Sequence, residues 1–153
     1  MKLGEAEYSA DVLNSYMSYY SEWLGGPSNL LQTIAQKESS YNPVTGSFRN
    51  VCNSVRACGL FQLRPIALAD IKRVYGYDLD PLDPIQATIG ATLLFLINAR
   101  YLARYVPQLT WPILIVAYNG GRKAGYSFYR YGYAPSNESR NYLAFVAART
   151  GIA

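Results

Sequence analysis

The sequence predicts a mostly α-helical domain, and two kinds of observation carry that reading. Apolar residues recur at intervals of three and four through several segments, which is the spacing of one helix face. Between those segments stand residues that start or stop helices: Gly25-Gly26-Pro27, Pro65, Gly76, Asp83-Pro84, Thr110 and Gly120-Gly121. The length of 153 residues, half of them hydrophobic, fits one domain with a true core, spanning residues 1–153.

In chain order, a first amphipathic helix is expected from about Glu5 to Leu24, with Leu13, Met17, Tyr20 and Leu24 on one stripe. Gly25-Gly26-Pro27 ends it, and Ser28 is the expected N-cap of a second helix that stops before Pro43. In that second helix Leu31, Ile34, Ala35 and Glu38 fall at i, i+3, i+4 and i+7. The pattern puts a carboxylate on a face that should pack inward. Burial penalises the charged form, so the pKa of Glu38 is expected to rise. An acid that keeps its proton near neutral pH is what general-acid chemistry requires.

Residues 44–58 are polar and carry glycine and asparagine, so they read as a loop with a short β-like hairpin. Pro65 begins a helix that runs to about Tyr75 and stops at Gly76. Asp83-Pro84 starts another, expected to carry Ile85, Ile89, Leu93 and Leu96 inward and to end before Pro107. Thr110 caps a short helix, Trp111 to Tyr118, closed by Asn119-Gly120-Gly121. Tyr126 to Tyr133 reads as a tyrosine-rich loop. Ser136 or Asn137 starts a last helix with Tyr142, Leu143 and Val146 on a common side. There are no repeats, linkers or low-complexity segments.

Composition narrows the chemistry. The chain has no histidine, which removes Ser-His-Asp and Cys-His catalysis and most zinc sites. It has only ten carboxylates, so acid–base chemistry has few candidates. The net charge of +4 and pI near 9.1 suit a polyanion, whether nucleic acid, a membrane face or a bacterial cell wall. Lys and Arg form no long run, so nucleic acid is the weaker option. Fifteen tyrosines offer flat faces and hydroxyls that suit sugars or bases, though most are expected to pack in or around the core. Cys52 and Cys58 are too far apart for a CxxC motif. Either they close a small loop as a disulfide, which implies an oxidising compartment, or they are two free thiols. The apolar stretch from Ala91 to Ala99 is too short and interrupted to span a bilayer. The first residues have no apolar signal core.

Four short motifs occur in order: Glu38-Ser39-Ser40-Tyr41-Asn42-Pro43, Gly59-Leu60-Phe61-Gln62-Leu63-Arg64-Pro65, Ala117-Tyr118-Asn119-Gly120-Gly121 and Glu138-Ser139-Arg140-Asn141-Tyr142-Leu143. Together they resemble the catalytic domain of soluble lytic transglycosylases, a family related to goose-type lysozyme. The resemblance covers about residues 28–149 and leaves residues 1–25 as an extra N-terminal helix. It implies a lysozyme-like helical fold with a cleft between the helix bearing Glu38 and the helices bearing Tyr118 and Tyr142, and it implies no cofactor or metal.

The activity so implied is cleavage of peptidoglycan between N-acetylmuramic acid and N-acetylglucosamine, with Glu38 as sole acid and base and a 1,6-anhydro product. Most glycosidases use two carboxylates; a shortage of acids is consistent with a reaction that needs one. The resemblance assigns substrate binding or support of the acid to Ser39, Ser54, Gln62, Tyr118, Asn119, Glu138 and Tyr142. Without it, Ser39 is a helix-end cap, Gln62 a polar loop residue and Asn119-Gly120-Gly121 a helix stop. Departures from the family are the long stretch from Pro43 to Gly59 with both cysteines, Arg64 in place of an apolar residue, and Gly121 after the Asn-Gly pair. Two alternatives stand beside the leading reading: a lysozyme-type hydrolase of the same bond, and a non-catalytic wall-binding domain. A wall enzyme without a signal is expected to be delivered by a phage particle or a secretion apparatus, with partners there, or to be part of a longer chain. Its place of action is the periplasm or cell wall.

Overall fold

The computed structural model describes residues 8–153. Among them are seven α-helices, and the only β-structure is a pair of isolated bridges. The mostly helical class predicted from the sequence is what the protein adopts. The chain forms two compact units, the first ending at Leu93 and the second running Leu94–Ala153.

In the first unit, α1 (Ala10–Trp23) begins where the Ser9 hydroxyl accepts a hydrogen bond from the Val12 amide at 3.2 Å. The helix therefore starts later than periodicity suggested; Glu5 to Glu7 lie outside the described residues. Leu13 and Met17 are buried, while Tyr20 and Leu24 are half-buried. α2 (Leu30–Ser39) packs against α1. The buried Leu31 amide donates to the Ser21 hydroxyl at 3.0 Å, which gives one orphan donor of the helix start a partner. The N-cap is Asn29 and not Ser28, because the Leu30 amide bonds the Pro27 carbonyl and holds Ser28 inside the preceding turn.

Residues 40–64 are a loop with bridges Cys52 to Cys58 and Cys58 to Leu63, and Cys52 and Cys58 are joined by a disulfide. Asn42 and Asn53 side chains accept from amides two to four residues on, forming Asx turns. α3 (Pro65–Tyr75) has proline in its first turn and stops at Gly76, at the positions read from the sequence.

α4 (Pro84–Leu102) starts on the Asp83 carboxylate, which accepts from the Ile85 amide at 2.9 Å and the Gln86 amide at 3.3 Å. Its inward face differs from the one expected. Ile85, Ile89, Leu93 and Leu96 are only half-buried, whereas Ala87, Thr88, Ala91, Thr92, Phe95, Asn98 and Leu102 are buried. The helix is apolar nearly all round, so periodicity alone could not select a face. Thr88 and Thr92 tolerate burial because each hydroxyl donates to the carbonyl four residues back, at 2.7 and 2.8 Å. At 19 residues with mean hydropathy 1.2, α4 is long and apolar enough to cross a membrane, contrary to the sequence estimate, which counted only the run to Ala99. Half of it is buried inside the protein, as befits a core helix.

The second unit holds the end of α4, α5 (Trp111–Gly120), α6 (Arg122–Tyr131) and α7 (Asn137–Thr150), with α5 packed on both α6 and α7. Thr110 caps α5 and Ser136 caps α7, each through its hydroxyl. Leu102, Val106, Ile113 and Ala117 form one apolar cluster; Val116, Ala124 and Ala134 form another. The segment Tyr126–Tyr133, expected to be a loop, is helical to Tyr131. Its tyrosines and Gly125 argued for a loop. Gly125 instead serves close packing: a Cβ there would lie 2.8 Å from the Ala117 Cβ on α5. In α7, Tyr142 and Val146 are buried and Leu143 is half-buried.

Candidate active site

Glu38 is the next-to-last residue of α2 and follows the buried Leu31, Ile34 and Ala35. It is half-buried, not fully inward, because the helix ends one residue later and Ser40 turns the chain with a left-handed φ of +59°. The end of this helix is fixed from several sides. The Ser39 hydroxyl, in a residue only 2 % exposed, lies 2.7 Å from the Leu60 carbonyl and 3.1 Å from the Ala35 carbonyl. The Tyr41 hydroxyl donates to Asn14 Oδ1 at 2.6 Å, and Asn14 Nδ2 donates to the Pro43 carbonyl at 2.8 Å. Burial pushes the Tyr41 phenol up to about 12.

The turn that receives Ser39 belongs to the second motif. Gly59 has φ +79°, and a Cβ on it would lie 1.8 Å from the Pro81 carbonyl oxygen, so no other residue fits. Gln62 is left-handed too, at φ +50°, and its Nε2 lies 3.0 Å from the carbonyls of both Val51 and Gly59. Leu60, Phe61 and Leu63 are buried beneath. Ser54 sits at the exposed tip of the loop between the cysteines, beside Arg56 at φ +59°. Arg64 is exposed at the N-cap of α3.

The second unit gathers a separate group. Tyr118, on α5, stacks on Phe95 with ring centroids 4.8 Å apart and planes 20° from parallel. Phe95 in turn meets Trp111 edge-on at 5.8 Å. The next residue, Asn119, has both ends of its amide engaged. Its Oδ1 accepts from the Ser139 hydroxyl at 2.9 Å, and its Nδ2 donates to Glu138 Oε2 at 3.2 Å. The Ser139 hydroxyl could donate or accept, but the Glu138 carboxylate only accepts, and so it fixes the orientation of the amide. Glu138 is exposed in the first turn of α7, and Tyr142, one turn on, is buried.

Within the first unit, then, the turn carrying Gln62 is tied to the end of α2 beside Glu38; within the second, Asn119, Glu138 and their neighbours form one hydrogen-bonded group. Sequence reasoning missed Ser139, which is buried and holds Asn119, and Phe95, which underlies Tyr118. Ser139 stands inside the fourth motif next to Glu138, so position was its only signal. Phe95 lay off the face predicted for α4. A hollow of about 330 Å³ in the first unit is lined by Tyr8, Leu13, Phe48, Asn50 and Pro84 among others, and by none of the predicted site residues.

The family model for the transglycosylase SLT domain matches residues 15–139, from within α1 to the start of α7. The match takes in the first three motifs whole and the first two residues of the fourth. No curated protein matches the chain. With most of its length covered by that model, the chain belongs to the transglycosylase SLT domain family, whose general activity is the lytic cleavage of peptidoglycan.

Proposed function

We propose that Glu38 is the single acid and base of a lytic transglycosylase that cuts the bond between N-acetylmuramic acid and N-acetylglucosamine and leaves a 1,6-anhydro end. The observation that carries this is where Glu38 stands: half-buried in the last turn of α2, in the first motif, next to the anchored Ser39. Asp70 pairs with Arg73 at 2.9 Å, and Asp78 pairs with Lys72 at 3.5 Å. Asp80 and Asp83 accept from backbone amides in a turn and a helix cap. Glu138 accepts from Asn119. Asp11 and Glu22 are exposed on α1. Among the described carboxylates only Glu38 stands in the first motif, on a helix end braced by Ser39; it is half-buried, as are Asp70 and Asp83.

In the proposed reaction the Glu38 proton passes to the glycosidic oxygen as the bond to the anomeric carbon breaks through an oxocarbenium-like state. The resulting carboxylate takes the proton of the muramic 6-hydroxyl. That oxygen closes on the anomeric carbon, so no water is consumed and Glu38 ends as it began. Cyclisation depends on holding the 6-hydroxyl near the carbon, a gain of proximity. We assign Tyr118, Asn119 and Glu138 to sugar binding, and Gln62 and Ser54 to the acid's side of the reaction. Ser39 and Tyr142 are buried, so their part is positioning.

The test is mass spectrometry of soluble products from purified peptidoglycan, with Glu38→Gln beside the parent. Products lighter by one water, without reducing ends, and a loss of roughly 100- to 10,000-fold in the variant are the expected result. Reducing ends from the parent would make the enzyme a hydrolase. Equal release by the variant would remove Glu38 from the chemistry.

A further inference from the structure

The charges of this chain are unevenly divided. The second unit holds seven Lys and Arg against one Asp or Glu, a net of +6, and the remainder of the chain holds seven against nine, a net of −2. From Pro84 to Asn137 there is no acidic residue at all. Within that stretch, the end of α4 and the length of α6 expose a run of tyrosines in contact. Tyr101 and Tyr105 have centroids 5.6 Å apart, Tyr105 and Tyr126 6.3 Å, and Tyr126 and Tyr129 6.0 Å. All four are exposed. The Arg122 guanidinium lies over the Tyr101 ring at 4.6 Å, and that of the exposed Arg104 at 6.0 Å.

We propose that this surface binds a linear phosphodiester polymer of polyol or sugar units. Arginine dominates the basic residues here. Its planar fork takes two oxygens of one phosphate, and stacking on a ring pre-orders it for that contact. Tyrosine hydroxyls donate to the same oxygens, and the rings offer apolar area to the carbon-bearing repeats between charges. Single-stranded nucleic acid fits less well. Its bases seek open ring faces, whereas these rings meet at 50°, 80° and 49° and Tyr101 is covered by Arg122. An acidic polypeptide also fits less well, because its carboxylates end flexible side chains that must each be ordered, while a phosphodiester carries its charge in the chain itself. The proposal does not depend on Glu38 or on the cleavage reaction.

The experiment measures binding of poly(glycerol phosphate) to the whole chain by calorimetry across a salt series. The expected result is an affinity whose logarithm falls linearly with the logarithm of salt. Arg104→Gln with Arg122→Gln should weaken it about tenfold or more, and Tyr105→Phe with Tyr126→Phe should weaken it severalfold. Arg49→Gln with Arg56→Gln removes the same charge from the first unit and should leave affinity within about twofold if the patch and not net charge is responsible. Should the double arginine variant melt early, Arg104→Gln alone, at an exposed position, reads the same effect. Absence of binding at low salt overturns the proposal. So does equal weakening by the Arg49 and Arg56 control, or tighter binding of oligothymidylate or polyglutamate than of poly(glycerol phosphate).

Discussion

In the first unit the motif residues are held by a loop; in the second they are held by helices. Ser39 is anchored on the Leu60 carbonyl, Gln62 on those of Val51 and Gly59, and the loop between them is closed by a disulfide and Asx turns. Tyr118 and Asn119 instead sit on α5, which small residues allow to lie close against α6, and they are fixed by side chains of α4 and α7. The difference has a physical reason. A loop has no ladder of its own, so side-chain-to-backbone bonds must pair its polar groups. A helix pairs its own backbone and leaves its side chains to engage one another.

The largest expected effect tests this contrast directly. Gly59→Ala should destabilise the protein by about 3 kcal/mol or more, since it adds both a left-handed strain and an impossible contact with Pro81. Gly125→Ala should cost only about 1 kcal/mol, because the clash with Ala117 is partly offset by better helix propensity. Chemical denaturation of both variants checks the pair, and equal losses would break the comparison.

Next in size is Cys52→Ser with Cys58→Ser. Opening so short a loop should cost about 2 kcal/mol. Hydrogen exchange should show lost protection over residues 40–64 and none in α5 to α7. Uniform loss would mean that the loop is not a local brace.

Tyr41→Phe should cost about 1 kcal/mol near neutral pH by leaving Asn14 Oδ1 without its donor. It should also change the alkaline limb. The folded phenol holds its proton up to about 12 while the unfolded one ionises near 10, so its contribution is complete below pH 10 and is lost between pH 10 and 12. Denaturation midpoints measured across that range should fall more steeply for the parent than for the variant.

An effect of the same size falls on the second unit. Ser139→Ala should lower stability by about 1 kcal/mol and leave the Asn119 amide held only by its bond to Glu138. If Asn119 binds sugar, KM for peptidoglycan should rise severalfold with kcat nearly unchanged, and Ser139→Thr should restore part of it. An unchanged KM would make the bond purely structural.

Much of this was legible in the sequence where local chemistry decides. Pro65, Gly76, Asp83-Pro84 and Thr110 each mark a helix end at or next to the observed one, because caps and stops depend on a few adjacent residues. The face of α4 and the helicity of α6 were not legible. Both depend on which neighbour a helix meets, and an all-apolar or tyrosine-rich segment does not encode that in its period. The site divides the same way. Glu38 could be singled out because a carboxylate broke an apolar stripe, although the stripe overstated its burial. Ser139 and Phe95 act through contacts with residues distant in sequence, and nothing local announced them.

Ser40, Arg56 and Gln62 hold left-handed φ values without being glycine. Each conformation costs roughly 1–2 kcal/mol for a side-chain-bearing residue, which makes these positions the places to look when engineering a hardier variant. Ser40→Gly and Arg56→Gly should raise the melting temperature without touching the acid. Gln62→Gly should not, since its side-chain amide holds two carbonyls that glycine would leave unbound. For a protein engineer, the same backbone outlier is a defect at two positions and a component at the third.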